Sequence, residues 1–199
     1  MNLISTIKLV VRNKYYRMML KNKDFTIISN NCWGGFIYQI FKLPYNTPTV
    51  GLFLFAEDYV EFCKNIKYYL SKQIIFIDKN SSKYKEHISK NYPIGRIDDI
   101  EIHFMHYRTS EEAIEKWERR KKRINWNNII FKFSQKDLCN KDNIINFMNL
   151  EHKNKVCFVN EQEIDNTIYI PNLDKYKDET NVTLKYFNVL AYLNSRKND

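Results

Sequence analysis

A cysteine and a histidine are the residues of this chain best suited to nucleophilic or acid–base chemistry. Cys32 lies in a polar turn between a short apolar run and a helical pattern. Because a helix N-terminus stabilises a nearby anion, this position predicts a thiol with a lowered pKa. Such a thiol needs a base within hydrogen-bond reach, and His106 ends a predicted strand of its own. We therefore predict Cys32 and His106 as a catalytic pair; the alternative is that Cys32 is a small residue filling a tight turn.

The turn around Cys32 also has the residue types of a ligand site. Asparagine side chains donate and accept hydrogen bonds, and glycine lets the backbone approach a ligand closely. These properties suit a sugar hydroxyl, or a phosphate at the N-terminus of the following helix. The predicted substrate-binding residues of this turn are Asn30, Asn31, Gly34 and Gly35. Their spacing matches neither a dinucleotide-binding glycine motif nor a P-loop, so a purely structural turn is the alternative.

A basic segment near His106 predicts phosphate binding. Thr109 and Glu112 have the spacing of a capping box, and six cations follow within residues 116–123. Arg120 falls on the apolar face of the predicted helix, where it must find an anion or another acceptor. The predicted substrate-binding residues of this part of the chain are Tyr107, Arg108, Trp117, Arg120 and Arg123. The alternatives are a solvated helix face, a nucleic-acid interface or an anionic lipid surface.

Metal-binding patterns are absent from the sequence. The acidic residues show neither a D-x-D motif nor the spacing of an EF-hand loop. The four cysteines are scattered and form no C-x-x-C pair, which favours free thiols in a reducing compartment. We predict no metal site and no cofactor, so a nucleotide sugar or an acyl donor would be a substrate.

Alternating strand and helix patterns position these residues. Predicted strands cover residues 24–30, 49–54, 73–77, 92–97, 100–106, 128–133, 155–159 and 167–170. Predicted helices cover residues 3–20, 57–71, 110–124, 141–150 and 181–194, with one more between Gly35 and Pro44. This alternation predicts an α/β fold: a three-layer, Rossmann-like arrangement with a mixed, mostly parallel sheet, flanking helices and one hairpin at Asp98-Asp99. Cys32 and His106 would then meet at the carboxyl edge of the sheet.

The N-terminal segment is predicted to differ from the rest. Residues 1–22 form an amphipathic basic helix and residues 23–199 a single α/β domain. The helix over residues 3–20 either packs on the domain or lies on an anionic membrane surface. The chain has 32 Lys and Arg against 23 Asp and Glu, a net charge of +9, which favours anionic partners.

The apolar runs are too short to span a bilayer, and no secretory signal pattern is visible. We therefore expect a cytoplasmic protein, or one that is peripheral at the inner face of the membrane.

Several motifs together resemble a bacterial family of unknown function, DUF1919, whose members are often labelled exopolysaccharide or capsular polysaccharide biosynthesis proteins. They are Ser29-Asn30-Asn31-Cys32-x-Gly34-Gly35, Leu43-Pro44-Tyr45-Asn46-Thr47-Pro48-Thr49, Tyr92-Pro93-Ile94-Gly95, and His106-Tyr107 leading into Trp117-x-x-Arg120-x-x-Arg123-Ile124-Asn125. The resemblance implies a role in surface polysaccharide production. It supplies no catalytic residues.

Three functions are consistent with these patterns. The leading hypothesis is a transferase, glycosyl or acyl, of surface polysaccharide biosynthesis that acts on a sugar or sugar-phosphate donor. The alternative is a non-catalytic module that binds a sugar or glycolipid in the same pathway. The weakest of the three is nucleic-acid binding through residues 116–126, which predicts a steep loss of affinity with salt.

Overall fold

The computed structural model describes residues 3–161 and 164–196, with the backbone alone for residues 3–8. Residues 1–2 of the predicted N-terminal helix, and residues 162–163 and 197–199 of the predicted α/β domain, therefore lie outside the described residues. The strands are β1 Thr26–Ser29, β2 Ile75–Ile77, β3 Ile94–Ile97, β4 Ile100–His103, β5 Ile129–Ser134, β6 Lys155–Val159 and β7 Ile168–Tyr169. The helices are α1 Leu3–Met19, α2 Trp33–Phe41, α3 Ala56–Lys64, α4 Ile66–Ser71, α5 Ser110–Lys121, α6 Lys141–Met148, α7 Thr180–Tyr186 and α8 Val189–Ser195.

A parallel sheet of four strands, in the order β1-β5-β6-β7, forms the centre of the fold. Both of its faces are covered, since Ile28 and Phe131 belong to one apolar core cluster and Ile27 and Ile130 to another. Burial on both faces explains why these strands are continuous apolar runs in the sequence. The predicted α/β fold with a mostly parallel sheet and flanking helices is confirmed.

The antiparallel strands form a second sheet. It contains β2, β3 and β4 in that order, and both of its pairings are antiparallel. The predicted hairpin is confirmed, and Asp98 makes its turn with φ of 56°. The sequence suggested that the hairpin is part of the mostly parallel sheet. Instead, β3 pairs with β4 on one edge and with β2 on the other, so the hairpin belongs to the second sheet.

The apolar run over residues 49–54, predicted as a strand, instead links the two sheets. Phe53 forms an isolated antiparallel bridge with His103 of β4. One residue later, the Leu54 amide donates to the Asn30 carbonyl at the end of β1, at 3.0 Å. Gly51, with φ of +73°, turns the chain between partners, so a regular ladder does not form.

Two predicted helices are each broken into a pair. Residues 57–71 divide at Asn65, whose φ of −125° and ψ of 40° interrupt the helix between α3 and α4. Residues 181–194 divide between α7 and α8, where the Asn188 side chain accepts a hydrogen bond from the Ala191 amide at 3.0 Å. A side-chain cap such as that of Asn188 competes with helix continuation, which explains the break between α7 and α8.

The helix α1, Leu3–Met19, lies within the segment predicted as an N-terminal helix, and one side of it packs on α2. Tyr16 stacks on Phe41 with ring centroids 5.7 Å apart, and Leu20, just after the helix, is buried. The Arg17 guanidinium donates to the Ile40 carbonyl at 2.9 Å. None of the helices in the described parts of the chain combines the length and the apolar character needed to cross a bilayer.

Candidate functional site

A cavity of about 460 Å³ opens where the carboxyl edge of the parallel sheet meets the second sheet. The segment after β1 brings Asn31 and Cys32 to this cavity, and the segment after β5 brings Asp137. His106, which follows β4, lines the same cavity. Loops at the carboxyl ends of parallel strands are where α/β folds bind ligands. The structure therefore brings both proposed catalytic residues to a position suited to a ligand.

One wall of the cavity is apolar and aromatic. It is lined by Phe36, Phe53, Tyr92 and Met105. Phe53 stacks on the buried ring of His103 with centroids 4.8 Å apart, and Tyr92 packs edge-on against the same ring at 5.8 Å. Because these rings are fixed by packing, they offer a rigid apolar face to a ligand.

The mouth of the cavity carries charged side chains of both signs. Lining side chains from two segments, residues 87–90 and residues 177–179, meet there. His87, Lys90 and Lys177 are exposed at this rim. Asp178 is exposed at the same rim, and it accepts a hydrogen bond from the Thr180 amide at 2.9 Å at the start of α7. The rim therefore offers cations that suit the phosphate of a ligand.

Beneath the cavity, a buried ion pair joins the parallel sheet to the start of α7. Lys132 of β5 is fully buried, and its ammonium donates to the Glu179 carboxylate. The same ammonium donates to Asn31 Oδ1 at 3.0 Å, and Asn31 Nδ2 donates to Glu179 at 3.1 Å. Ser134 adds a hydrogen bond to Glu179 at 2.7 Å. A buried charge pair is tolerated when hydrogen bonds complete it in this way.

Electrostatics keep this pair charged. Burial alone would raise the pKa of Glu179, but Lys132, Ser134 and Asn31 outweigh it, so its pKa lies below the usual range. Burial lowers the pKa of Lys132, and the Glu179 carboxylate opposes that shift. The second carboxylate oxygen, Glu179 Oε2, is buried and has no hydrogen-bond partner among the described residues. The network therefore fixes the positions of Asn31 and α7 at the floor of the cavity.

Asp137 is the carboxyl group best placed for acid–base chemistry. Burial raises its pKa to about 6, and the nearby Glu179 carboxylate adds to the shift, while Lys136 and Lys132 oppose it. It lines the cavity on a residue with φ of 56°, a left-handed backbone that aspartate tolerates better than most residues. A carboxyl group with a pKa near neutrality is suited to accept a proton from a substrate and return it.

Cys32 lines the cavity as a neutral thiol. Burial raises its pKa to about 11, and Asp178, Asp137 and Glu179 add to the shift, with Lys132 opposing it. The predicted lowering of this pKa was wrong, because nearby carboxylates and desolvation outweigh the helix N-terminus. Its Sγ lies 4.0 Å from the Leu52 carbonyl, to which it donates. The catalytic roles of Cys32 and His106 stay predictions.

The turn residues divide between the cavity and the core. Asn31 lines the cavity, and its Oδ1 also accepts from the amide of Trp33, the first residue of α2, at 3.1 Å. Asn30 is fully buried and instead ties β1 to β5, accepting from the Ser134 amide at 3.2 Å. It does not line the cavity.

The two glycines allow close packing and do not cradle a ligand. A Cβ on Gly34 would lie 3.0 Å from Ile27 Cγ2, and one on Gly35 would lie 3.3 Å from Val50 Cγ1. Neither residue lines the cavity. Their predicted role in ligand binding is therefore corrected: they let α2 approach β1 and residue 50.

The arginine face of α5 lies away from this cavity. Arg120 is buried, and it donates to the Tyr107 hydroxyl at 2.5 Å while its guanidinium lies over the Tyr45 ring at 5.1 Å. The Tyr107 hydroxyl in turn donates to the Val50 carbonyl. The acceptor that Arg120 needs is thus internal, so the predicted composite pocket with Cys32 is wrong for these residues.

The other residues predicted from this region are also separate from the cavity. Trp117 is buried in the core, and Arg108 and Arg123 are exposed elsewhere on the surface. Much of the basic charge on α5 is neutralised along the helix, since Lys116, Arg119 and Lys121 each form an ion pair with a glutamate three or four residues earlier. This pattern favours a solvated helix face over a nucleic-acid interface.

Four functional candidates were missed in the sequence: Lys132, Ser134, Asp137 and Glu179. One signal was present, because Lys132 interrupts the apolar run Ile129-Ile130-Phe131 and its charge must find a partner when the strand is buried. Asp137 follows the same strand, so the rule that places ligands at strand ends also points to it. Glu179 had no signal, since it is far from Lys132 in the sequence.

Comparison with known proteins identifies the family. The family model described as a domain of unknown function (DUF1919) matches residues 4–197. The chain belongs to the DUF1919 family. A relative in Haemophilus influenzae, described as an uncharacterized protein, is 35% identical over 149 residues, which is 75% of this chain and 68% of the relative. The resemblance seen in the sequence motifs is thereby confirmed at the level of the family.

All the cavity residues of this DUF1919 protein, from Asn31 to Glu179, fall within the matched range. The match also includes nearly all of α1. The site and the N-terminal helix are therefore parts of the family's domain.

Proposed function

We propose that this DUF1919 protein is a transferase of surface polysaccharide biosynthesis that acts on a sugar or sugar-phosphate donor. The observation that carries the proposal is the Asp137 carboxyl group, whose pKa burial raises to about 6, in a cavity of about 460 Å³ at the carboxyl edge of the sheet. A cavity of this size suits a small ligand such as a sugar phosphate.

Asp137 is the general base in this proposal. An acceptor hydroxyl loses its proton to the Asp137 carboxylate as its oxygen bonds to the anomeric carbon of the donor. The bond from that carbon to the phosphate oxygen breaks, and the leaving phosphate keeps the electron pair. A base with a pKa of about 6 is largely ionised at neutral pH and still binds a proton readily.

The other cavity residues supply binding. The rigid apolar wall at Phe53 and Tyr92 is suited to the C–H face of a sugar ring, and Asn31 adds an amide at the floor. Lys90 and Lys177 at the rim are suited to the charge of the leaving phosphate. The neutral thiol of Cys32 contributes contact surface or a weak hydrogen bond, not a nucleophile.

A non-catalytic sugar- or glycolipid-binding module is the second candidate. One observation favours it: the raised pKa of Cys32, about 11, leaves the cavity without the ready thiolate that covalent catalysis would use. In that case the aromatic wall and the rim lysines, Lys90 and Lys177, bind the ligand, and Asp137 accepts a hydrogen bond from a sugar hydroxyl.

The test is turnover by the purified protein with a panel of nucleotide sugars, sugar phosphates and acyl donors. Binding is measured in parallel by calorimetry. We expect one sugar-containing donor to bind and to be consumed in the presence of an acceptor. Asp137→Asn is expected to reduce kcat by about 10²–10⁴-fold while the donor Kd stays the same, because it removes the base and keeps the shape.

Controls separate the candidate roles. Asp165→Asn changes an exposed aspartate outside the cavity and is expected to leave turnover unchanged. Cys32→Ala and His106→Ala test the roles predicted from the sequence, and full activity in both would remove those roles. Binding without turnover in the wild-type protein would favour the binding module, and full turnover by Asp137→Asn would contradict the proposal.

A further inference from the structure

The N-terminal helix has an outer face that none of the described residues covers. Its inner side packs on α2 through Tyr16, with Leu20 buried beyond it. On the outer side, Val10, Val11 and Met18 are exposed at 61%, 62% and 74%. Exposure of this many large apolar side chains along one helix marks an interaction surface.

The apolar surface continues from α1 onto the C-terminal helices. Tyr15 and Met19 of α1 line a groove together with Tyr186 of α7 and Ala191 of α8. Tyr15 and Tyr186 are each about half exposed, at 54% and 52%. An amphipathic tyrosine at the edge of an apolar patch is typical of the boundary between a membrane and water.

The charge of this helix is of one sign. The sequence of α1 contains four cations, Lys8, Arg12, Lys14 and Arg17, and no acidic residue, and Lys21 follows shortly after it. None of the ion pairs among the described residues involves α1. Within the described residues, its positive charge is therefore not neutralised by carboxylates.

We propose that the outer face of α1 docks on an anionic lipid bilayer. The apolar side chains of Val11, Tyr15 and Met18 enter the boundary between headgroups and acyl chains, and Lys14 and its neighbours contact anionic headgroups. A second copy of the chain fits this face poorly, because it would present the same cations to one another. The proposal rests on α1 and the adjoining groove, and it is independent of the function assigned to the cavity.

The test uses the full chain with sedimenting vesicles. One set contains phosphatidylcholine alone, and the other contains phosphatidylcholine with phosphatidylglycerol. We expect binding to the anionic vesicles only, and a loss of that binding in high salt, because charge attraction is screened. Lys14→Glu changes the charge by two units and is expected to weaken binding roughly 30-fold.

Two apolar variants complete the test. Met18→Ser is expected to weaken vesicle binding about tenfold, since it removes a side chain that would be buried in the bilayer. Ile75→Ser is the matched control, because Ile75 is similarly exposed, at 69%, but lies in β2. Thermal unfolding should be the same for all variants, since each change is at the surface.

Sedimentation velocity of the protein without vesicles tests whether a second copy of the chain, and not a bilayer, covers this face. Self-association that Met18→Ser abolishes would assign the face to a second copy and overturn the proposal. Equal binding to neutral and anionic vesicles, or no binding to either, would also overturn it. Inorganic phosphate added to the anionic vesicles should not compete for the protein at physiological ionic strength, since the bilayer and not the free anion is the partner.

Discussion

Breaking the buried Lys132–Glu179 pair should destabilise the protein far more than removing it. Lys132 is fully buried and Glu179 is 3% exposed, so a single change leaves one unpaired charge in the core. Removing one partner of such a pair typically costs about 3–5 kcal/mol. That is a large part of the total, since domains are usually stable by about 5–15 kcal/mol. We expect this cost for Lys132→Met and for Glu179→Gln alike.

The double variant should cost less than either single variant. With both charges gone, no buried ion remains, and the residual loss comes from hydrogen bonds. Asn30 and Asn31 lose the hydrogen bonds that the Lys132 ammonium donates to their Oδ1 atoms, at 3.3 Å and 3.0 Å, each worth about 0.5–1.5 kcal/mol. The double variant is therefore expected to lose about 1–3 kcal/mol, well below the sum of the two single changes.

Urea unfolding, followed by circular dichroism, measures these free energies. The control is Lys64→Met with Glu61→Gln, an exposed pair at 3.5 Å on α3, for which both single changes should cost less than about 1 kcal/mol. Additive losses in the Lys132 and Glu179 variants would contradict the account. They would mean that the two charges do not depend on each other in the folded protein.

Three further predictions concern other positions. Asp137→Asn should raise stability at pH 7 by about 1–3 kcal/mol, measured by urea unfolding, because burial raises the folded pKa to about 6 and the charged form is disfavoured above it; equal stability would contradict this. Burial lowers the pKa of His103 to about 4. As pH falls from about 6.5 towards 4, the unfolded state therefore binds a proton that the folded state does not, and the protein loses on the order of 2–3 kcal/mol of stability. His103→Phe should remove that acid sensitivity in thermal unfolding at graded pH, and an unchanged pH profile would contradict it. Gly95→Ala should lower the free energy of unfolding, measured with urea, by about 1–3 kcal/mol, because its Cβ would lie 2.5 Å from Ile74 Cγ2; a neutral effect would contradict the packing described.

Acid stability should therefore show two opposing effects. Between about pH 4 and 6, the folded state binds the additional proton at Asp137, while the unfolded state binds it at His103. The first effect stabilises the fold as pH falls, and the second destabilises it. Single variants separate the two effects, which the wild-type protein combines.

Local patterns in the sequence predicted most of the secondary structure. The apolar run at 155–159 became β6 with the same bounds, and Thr109 caps α5 by accepting from the Glu112 amide at 3.2 Å. The capping box is incomplete, because the Glu112 carboxylate accepts from the Arg108 amide, one residue before the Thr109 amide that the pattern implies. These features depend on neighbours in the chain, which is why a sequence reveals them.

Features that depend on distant parts of the chain were not predictable. The run at 49–54 has the composition of a buried strand, yet it is buried because it passes between two sheets. Arg120 was correctly placed on the inner face of α5, but its partner is the Tyr107 hydroxyl and not a ligand. The same inward position fits both outcomes, and only the packing of α5 on the residue-50 segment decides between them.

Only part of the site was predicted, because some of its residues come from distant parts of the chain. The rule for strand ends placed Cys32 at the cavity, since Cys32 follows β1 of the parallel sheet. His106 lines the same cavity for a different reason, because it follows β4 of the antiparallel sheet. The carboxylates that raise the Cys32 pKa come from segments after β5 and before α7, far from it in sequence. A helix N-terminus alone therefore gave the wrong sign for that shift.

The pH dependence of kcat/KM, measured with the donor found by the screen, tests the central claim about Asp137 most directly. This ratio reports the pKa of the essential base in the free enzyme. We expect activity to rise with pH to a plateau, with a midpoint at about 6, the pKa to which burial raises Asp137. The residual activity of Asp137→Asn should lack this rise. A wild-type profile that is flat between about pH 5 and 8, or a midpoint that Asp137→Asn leaves in place, would contradict the assignment.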